Sequence, residues 1–366
     1  MPVRGNILII TSLFLWLGGC AEVLTQPSSD SDPARDFAAF AAKWDRLNDV
    51  AMGLSAAAAI LCNTHMQATY GFELHDRSEY ARLFKGEYLE AAVRYYGLRD
   101  GVWVRYVHPT LPAGAAGLRS GARIISLDGE RLDTKTAEDA REFLRRLERR
   151  HEGPLHVVFA DADARVHERD LYAVPACKYP ILLVRGTLVN AFADGTKIVV
   201  TTGMLDFTAS DAELAVVIGH EIAHNALAHT DDIRLRNVLD AVLTAHTGQR
   251  ADLAATATGF SFSKEFETQA DYVGLYIAAR AGYDFYGVWQ FWGRLARYHP
   301  TVNAPAFAIT HPSYPERFES FRSTLREIGK KQERGEALLP DRMPALALKQ
   351  STGLEDREEP GKATVR

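Results

Sequence analysis

From Ala34 to about Tyr70 apolar side chains recur at spacings of three and four: Phe37, Phe40, Trp44, Leu47, Val50 and Leu54. That spacing predicts a helix with one apolar face, whose partner lies elsewhere in the chain. Between about Tyr95 and Asp161 the period shortens. Val102, Val104 and Tyr106-Val107 read as one strand, Ile124-Ile125-Ser126-Leu127 as a second closed by the Asp128-Gly129 turn signal, and Leu155-His156-Val157-Val158-Phe159 as a third. One helix is expected among them, capped by Thr136 and apolar at Phe143, Leu144 and Leu147. From Lys178 to about Lys331 two further strands, at 181–184 and 197–201, precede long helices, and the polar Lys197 and Thr201 suit a sheet edge. One of these helices starts at the capping box Ser210-Asp211-Ala212-Glu213. It continues as LAVVIGHEIAHNALAHT, apolar on almost every side, as expected inside a domain. The fold class is therefore α+β: a helical segment over 34–94, a β-rich domain over 95–161, a helix-rich domain with a small edge-strand sheet over 178–331, and a charged, Pro-containing tail over 335–366 that predicts disorder.

Composition narrows the class. The chain has 366 residues, 47% of them hydrophobic, which excludes a collagen-like or wholly disordered polypeptide. Lys+Arg 42 against Asp+Glu 47 gives a net charge of −5, so nothing points to nucleic acid as a partner. Three cysteines, Cys20, Cys62 and Cys177, are too few for a disulfide framework.

Arg4 precedes an uncharged run from Ile7 to Leu17, too short for the roughly 20 residues of a membrane-crossing helix, and reads as a signal-peptide core over 1–19. Leu17-Gly18-Gly19-Cys20 resembles the bacterial lipobox; the alternative is an ordinary secretory signal with a chance cysteine. The resemblance implies acylation of Cys20, a tether over 20–33 and a chain held at a membrane facing the periplasm. Ala21, rather than Asp, resembles lipoproteins passed on to the outer membrane. Cys62 and Cys177 are then the remaining thiols in an oxidising compartment, either paired or separately buried.

Residues 104–132, VRYVHPTLPAGAAGLRSGARIISLDGERL, resemble the bacterial PDZ domain. The likeness implies a groove that takes a peptide C-terminus by strand addition. Two departures are visible: Ala122-Arg123 stand where the family has Asp, and the loop YYGLRDG before Val102 is short for a carboxylate-binding loop, so a spacer that binds nothing is the other reading.

The chemistry lies at 220–224. His220, Glu221 and His224 inside an apolar helix would be costly to bury without partners, and a metal is the obvious one. The two histidines stand one turn apart, so both imidazoles can reach one zinc ion at about 2.0–2.1 Å, with Glu221 beside the open coordination position as general base and then acid. The metzincin pattern is excluded, because the third-histidine and glycine positions hold Thr230 and Leu227. In gluzincins a later helix supplies a glutamate. KEFETQADYVGLYIAARAGY offers Glu267, with Glu265 as rival; only Glu267 has an acid at plus four, Asp271, and the small Gly274 at plus seven for close helix packing. Asp271 can accept a hydrogen bond from the outer nitrogen of a zinc histidine.

With these motifs the chain resembles the zinc metallopeptidases of the HtpX and BepA type, the minigluzincins, from about Asn190 to Phe318. The resemblance rests on Asn190-Ala191-Phe192, Thr201-Thr202-Gly203-Met204-Leu205, HEIAH, Glu267 with Asp271, Ala281-Gly282-Tyr283, and His311-Pro312 followed by Arg317. It implies one Zn²⁺ per chain on His220, His224 and Glu267, and a protein substrate laid along an edge strand that carries Lys197, Val199 and Thr201 and follows Asn190. Gln269 departs from the family pattern and is expected to face away from the ligands. His311 is open to three readings: oxyanion donor, fourth zinc ligand of a latent enzyme, or a residue that orders the loop before Pro312. Arg317 is expected to pair with a site carboxylate, and His229, His246 and His299 to be surface or structural. The expectation is a lipid-anchored envelope endopeptidase; a chaperone-like lipoprotein with a latent or structural zinc site is the rival.

Overall fold

The computed structural model describes residues 32–62, 65–148, 153–187, 189–229, 262–285, 287–297 and 315–342. Cys20 with the leader, His246, His299, His311 and the tail from 343 lie outside the described residues.

Helix α1 (Pro33–Ala57) begins where Asp32 accepts a hydrogen bond from Ala34 N and Pro33 supplies the first helical turn. Its apolar face is divided. Phe40, Trp44, Leu47, Val50 and Leu54 enter the core that surrounds the HEIAH helix, whereas Phe37 and Ala41 pack against Tyr80, Phe84 and Tyr88.

After α1 the chain leaves this core through a narrow neck. Strand β1 (Met66–Thr69) pairs antiparallel with β8 (Val174–Cys177), and a disulfide joins Cys62 to Cys177 beside them. Everything between belongs to one module: β2 (Phe72–His75), α2 (Arg77–Leu83), α3 (Gly86–Tyr96), β3 (Val102–Val107), α4 (Pro112–Ala115), β4 (Arg123–Leu127), β5 (Glu130–Arg131), α5 (Ala137–Glu148), β6 (Leu155–Ala160) and β7 (Val166–Leu171). Its sheet runs β2-β3-β4-β6-β7, with β5 on β4. The three strands expected from alternation are the inner ones. Both edges fall beyond 95–161: β2 has only four residues and a bulge at Glu73/Leu74, and β7 is mostly exposed and polar, so neither gives a clear alternating signal. The segment YYGLRDG is the end of α3 and its connection to β3, turned by Gly97 at φ +62°. Thr136 caps α5 as expected, through Asp139 N.

The module also rests on α1. Arg105 of β3 is buried, bonded to Asp45 at 2.8 Å and Glu73 at 2.6 Å, with its guanidinium 3.8 Å over the Trp44 ring.

The chain then forms β9 (Ile181–Val184), β10 (Ala191–Ala193) and β11 (Ile198–Thr201), in the order β10-β11-β9. This corrects the expected edge at 197–201. β11 is the central strand, with β10 antiparallel on one side and β9 parallel on the other, and all four of its residues are buried. Among the described residues, helices α6 (Thr202–Phe207), α7 (Asp211–Ala226), α8 (Lys264–Arg280), α9 (Trp289–Arg297) and α10 (Pro315–Glu333) follow. The cap of α7 is the one read from sequence, with Ser210 Oγ accepting from Glu213 N at 3.2 Å. Helices α7 and α8 meet at two glycines: a Cβ on Gly274 would stand 2.7 Å from His220 N, and one on Gly219 would stand 2.8 Å from Gly274 O.

Candidate metal centre

That backbone approach brings the HEIAH helix and the Glu267 helix together. His220 Nε2 lies 3.0 Å from His224 Nε2 and 3.6 Å from Glu267 Oε2, and His224 Nε2 lies 3.4 Å from Glu267 Oε1. Tetrahedral ligands at about 2.0–2.1 Å from zinc stand about 3.3 Å from one another, so the three donors fit one zinc ion. All three residues are buried. Glu267 and Asp271 are buried carboxylates that both pair with the Arg317 guanidinium. Glu221 is fully buried on α7, adjacent in sequence to His220.

Each histidine is gripped from behind. His220 Nδ1 lies 2.9 Å from Asp271 Oδ1, and Arg317 donates to both oxygens of Asp271 at 2.7 Å while its third nitrogen reaches Glu267 at 2.7 Å. Burial pushes the Asp271 carboxyl up, but Arg317 and His220 outweigh it and hold it below the usual carboxylate range. His224 Nδ1 lies 3.1 Å from His229 Nδ1, and His229 Nε2 lies 3.0 Å from Gln269 Oε1. Burial lowers His229 to about 4, so it is neutral at physiological pH. The expectation that Gln269 faces away is therefore corrected: it reaches His224 through His229. A helical wheel gave no such link, since His229 lies beyond the end of α7.

The other site residues fall as follows. Glu265, the rival ligand, is exposed and outside the cluster. Asn190, Lys197, Val199 and Thr201 belong to the β10–β11 hairpin. Thr201 Oγ1 donates to Asn190 O and accepts from Met204 N, capping α6; Lys197 pairs with Asp194 at 2.6 Å in the turn; Val199 is buried. The polarity that suggested an edge is used at the two ends of the strand. A residue that sequence reasoning did not single out, Asn225, joins this turn to the metal helix, accepting from Gly195 N at 2.6 Å and donating to Lys197 O at 3.2 Å.

In the β-rich module the edge strand β2 faces α5. Arg141 of α5 donates to Leu74 O of that strand at 2.8 Å and pairs with Glu79 at 3.2 Å.

Fold and site together define a class: an α+β protein whose candidate metal centre has the HExxH gluzincin arrangement, two histidines from one helix and a glutamate from a later one. Residues 164–325 match the family described as Peptidase family M48. The chain is 36% identical over 129 residues to the mitochondrial metalloendopeptidase OMA1 of Arabidopsis thaliana, covering 33% of this chain and 26% of that protein. It is 27% identical over 172 residues to the beta-barrel assembly-enhancing protease of Escherichia coli strain K12, covering 41% and 35%. The chain thus spans about a quarter to a third of the length of these relatives. Among solved structures, the HtrA3 PDZ domain bound to a phage-derived ligand covers 31% of this chain and 90% of its own, at 15% identity and a TM-score of 0.22, and nothing about the module's ligand follows from it.

Proposed function

We propose that the protein is a zinc-dependent endopeptidase, anchored to a membrane through acylated Cys20, that hydrolyses peptide bonds of periplasmic or outer-membrane proteins. The observation that carries the activity is the His220–His224–Glu267 triangle with Glu221 on the same helix. When bound there, zinc supplies a Lewis acid that polarises a peptide carbonyl and makes water more acidic. Glu221 takes the proton from the attacking water and hands it to the amide nitrogen as that bond breaks. Asp271 and Arg317 keep the His220 ring in place. Hydrogen bonds from Thr201 N to Asn190 O and from Asp194 N to Lys197 O mark the bonded pairs at the two ends of the β10–β11 ladder; by alternation the N–H and C=O groups of Ala191 and Ala193 point away from β11, where both residues are fully buried.

The envelope assignment is supported by the lipobox-like leader and by the Cys62–Cys177 disulfide, which suits an oxidising compartment. A peptide C-terminus added along β2 would have to take the Leu74 carbonyl from Arg141.

The test is cleavage of an unstructured protein and a mixed peptide library by the zinc-loaded chain lacking residues 1–20, beside its Glu221→Gln form. Loss of a general base predicts a rate lower by about 10²–10⁴-fold in the variant. Equal cleavage by both overturns the proposal. Cys20→Ser is expected to move the protein from the membrane fraction to the soluble one.

A further inference from the structure

The helix that carries the histidines ends in an unusual cap. After α7, Ala228 N bonds Asn225 O at 3.1 Å, His229 N bonds His224 O at 3.0 Å, and Ala228 sits at φ +56°, a left-handed conformation that glycine ordinarily supplies. This is a Schellman turn. Its geometry folds the second residue past the helix back over the last turn, usually to make an apolar contact. Here the two residues so joined are His229 and His224. Their rings are held in plane by aromatic neighbours, His224 stacked on Phe262 at 3.8 Å and His229 on Phe266 at 4.3 Å.

The hydrogen-bond directions then follow from valence. Two Nδ1 atoms 3.1 Å apart share one proton. His224 turns its Nε2 toward His220 and Glu267, so that nitrogen must offer a lone pair to a metal and the ring proton must sit on Nδ1. His229 Nδ1 is therefore the acceptor, and its own proton is on Nε2, pointing at Gln269. An amide N–H₂ there would set donor against donor, so the oxygen of Gln269 faces the ring, at 3.0 Å. We propose that His229 and Gln269 are positioning residues that fix the tautomer and ring orientation of His224 for metal binding. The two metal histidines are thus oriented by different means, His220 by a carboxylate and His224 by a neutral imidazole–amide pair.

The inference rests on the metal reading of the site, and the two fail differently. If the full-length protein binds no zinc, the metal reading fails. If it does, chelator competition on His229→Leu, His229→Gln and Gln269→Leu tests the relay, with urea denaturation of each zinc-free protein and the visible spectrum of each Co²⁺-loaded protein alongside. His229→Leu is expected to bind zinc about 10–100-fold more weakly and to alter the Co²⁺ spectrum. His229→Gln, which restores an acceptor oxygen, is expected to recover part of the affinity. Gln269→Leu, which touches neither ligand nor metal but removes the acceptor of the buried His229 Nε2–H, is expected to weaken binding about tenfold with only a small fall in its zinc-free stability. Unaltered affinity and spectrum in Gln269→Leu overturn the relay. So does a loss in His229→Leu that His229→Gln shares in full.

Discussion

Gly274→Ala places one methyl group where helices α7 and α8 touch. Its Cβ would stand 2.7 Å from His220 N, 2.9 Å from Gly219 C and 2.9 Å from His220 Cα, and all three are backbone atoms that cannot rotate aside. Ordinary contact begins at 3.4 Å, so relief requires the helices to part by about 0.7 Å at this point. Overpacking of this kind costs about 1–3 kcal/mol, against which alanine regains about 1 kcal/mol of helix propensity. The net expectation is a loss of about 0–2 kcal/mol in the zinc-free protein, against a gain at an uncrowded glycine. The effect on the site is larger. Glu267 and Asp271 ride on the displaced helix, and an added 0.7 Å would lengthen the 2.9 Å contact of Asp271 with His220 beyond hydrogen-bonding range. Metal ligands tolerate only about 0.2 Å, so zinc affinity is expected to fall more than tenfold. Gly329→Ala in α10 is the control. Its Cβ meets nothing within 4 Å, and it should gain about 0.5–1 kcal/mol without altering zinc affinity. Urea denaturation of the zinc-free proteins and chelator competition measure both quantities. If Gly274→Ala behaves like Gly329→Ala in the two assays, the close approach does not shape the site.

Two other perturbations probe the rest of the fold. Cys62 and Cys177 are 115 residues apart, and closing so long a loop restricts the unfolded chain enough to contribute about 4–5 kcal/mol; Cys62→Ser with Cys177→Ser should lower the urea midpoint accordingly, and a change below about 1 kcal/mol would refute the entropic argument. His75 is buried, and burial, reinforced by Arg105 and Arg141 and opposed by Asp76, lowers it to about 3. Its ring also bonds Tyr80 and lies against Tyr96. The unfolded chain takes up this proton from about pH 6.5 downward while the folded chain does not, so stability is lost as pH falls, by about 2 kcal/mol at pH 5 relative to pH 7.5. His75→Asn should flatten that part of the urea-stability profile between the two pH values, and an unchanged slope would contradict it.

What was legible in the sequence was local. The α7 cap, the one-turn spacing of His220 and His224, and the choice of Glu267 over Glu265 each rest on residues a few positions apart, and the structure places them as that spacing requires. Gly274 was legible for the same reason. The edge strand was not. Lys197 and Thr201 are polar because one pairs with Asp194 in a turn and the other caps a helix, and no local pattern announces that β9 will pair in parallel with β11. Gln269 was misplaced because helical periodicity stops at the end of a helix, whereas the left-handed turn at Ala228 carries His229 back to it. The five-residue interval from His224 to His229 was the available signal, and it becomes one only when read with a Schellman turn.

The same non-local logic explains why the chain needs α1. The β-rich module leaves and re-enters at one place, where β1 pairs with β8 beside the disulfide, and its second anchor is Arg105 on Asp45 and Trp44 of α1. Helix α1 is in turn tied to the metal helix at its start: Arg46 bonds Asp211 at 2.8 Å and the Leu205 carbonyl at 2.7 Å, while Leu47, Val50 and Leu54 share the core with Ile218, Ile222 and Tyr276. The buried pair of Arg105 with Glu73 lies within the module; its pair with Asp45 of α1 is partly exposed, as is that of Arg46 with Asp211, so both joints are kept in position by the contacts beside them, the Trp44 ring and the Asn48–Glu73 hydrogen bond at the first and the apolar core at the second. The module and the metal helix both pack on α1, the helix whose apolar stripe was the first pattern visible in the chain.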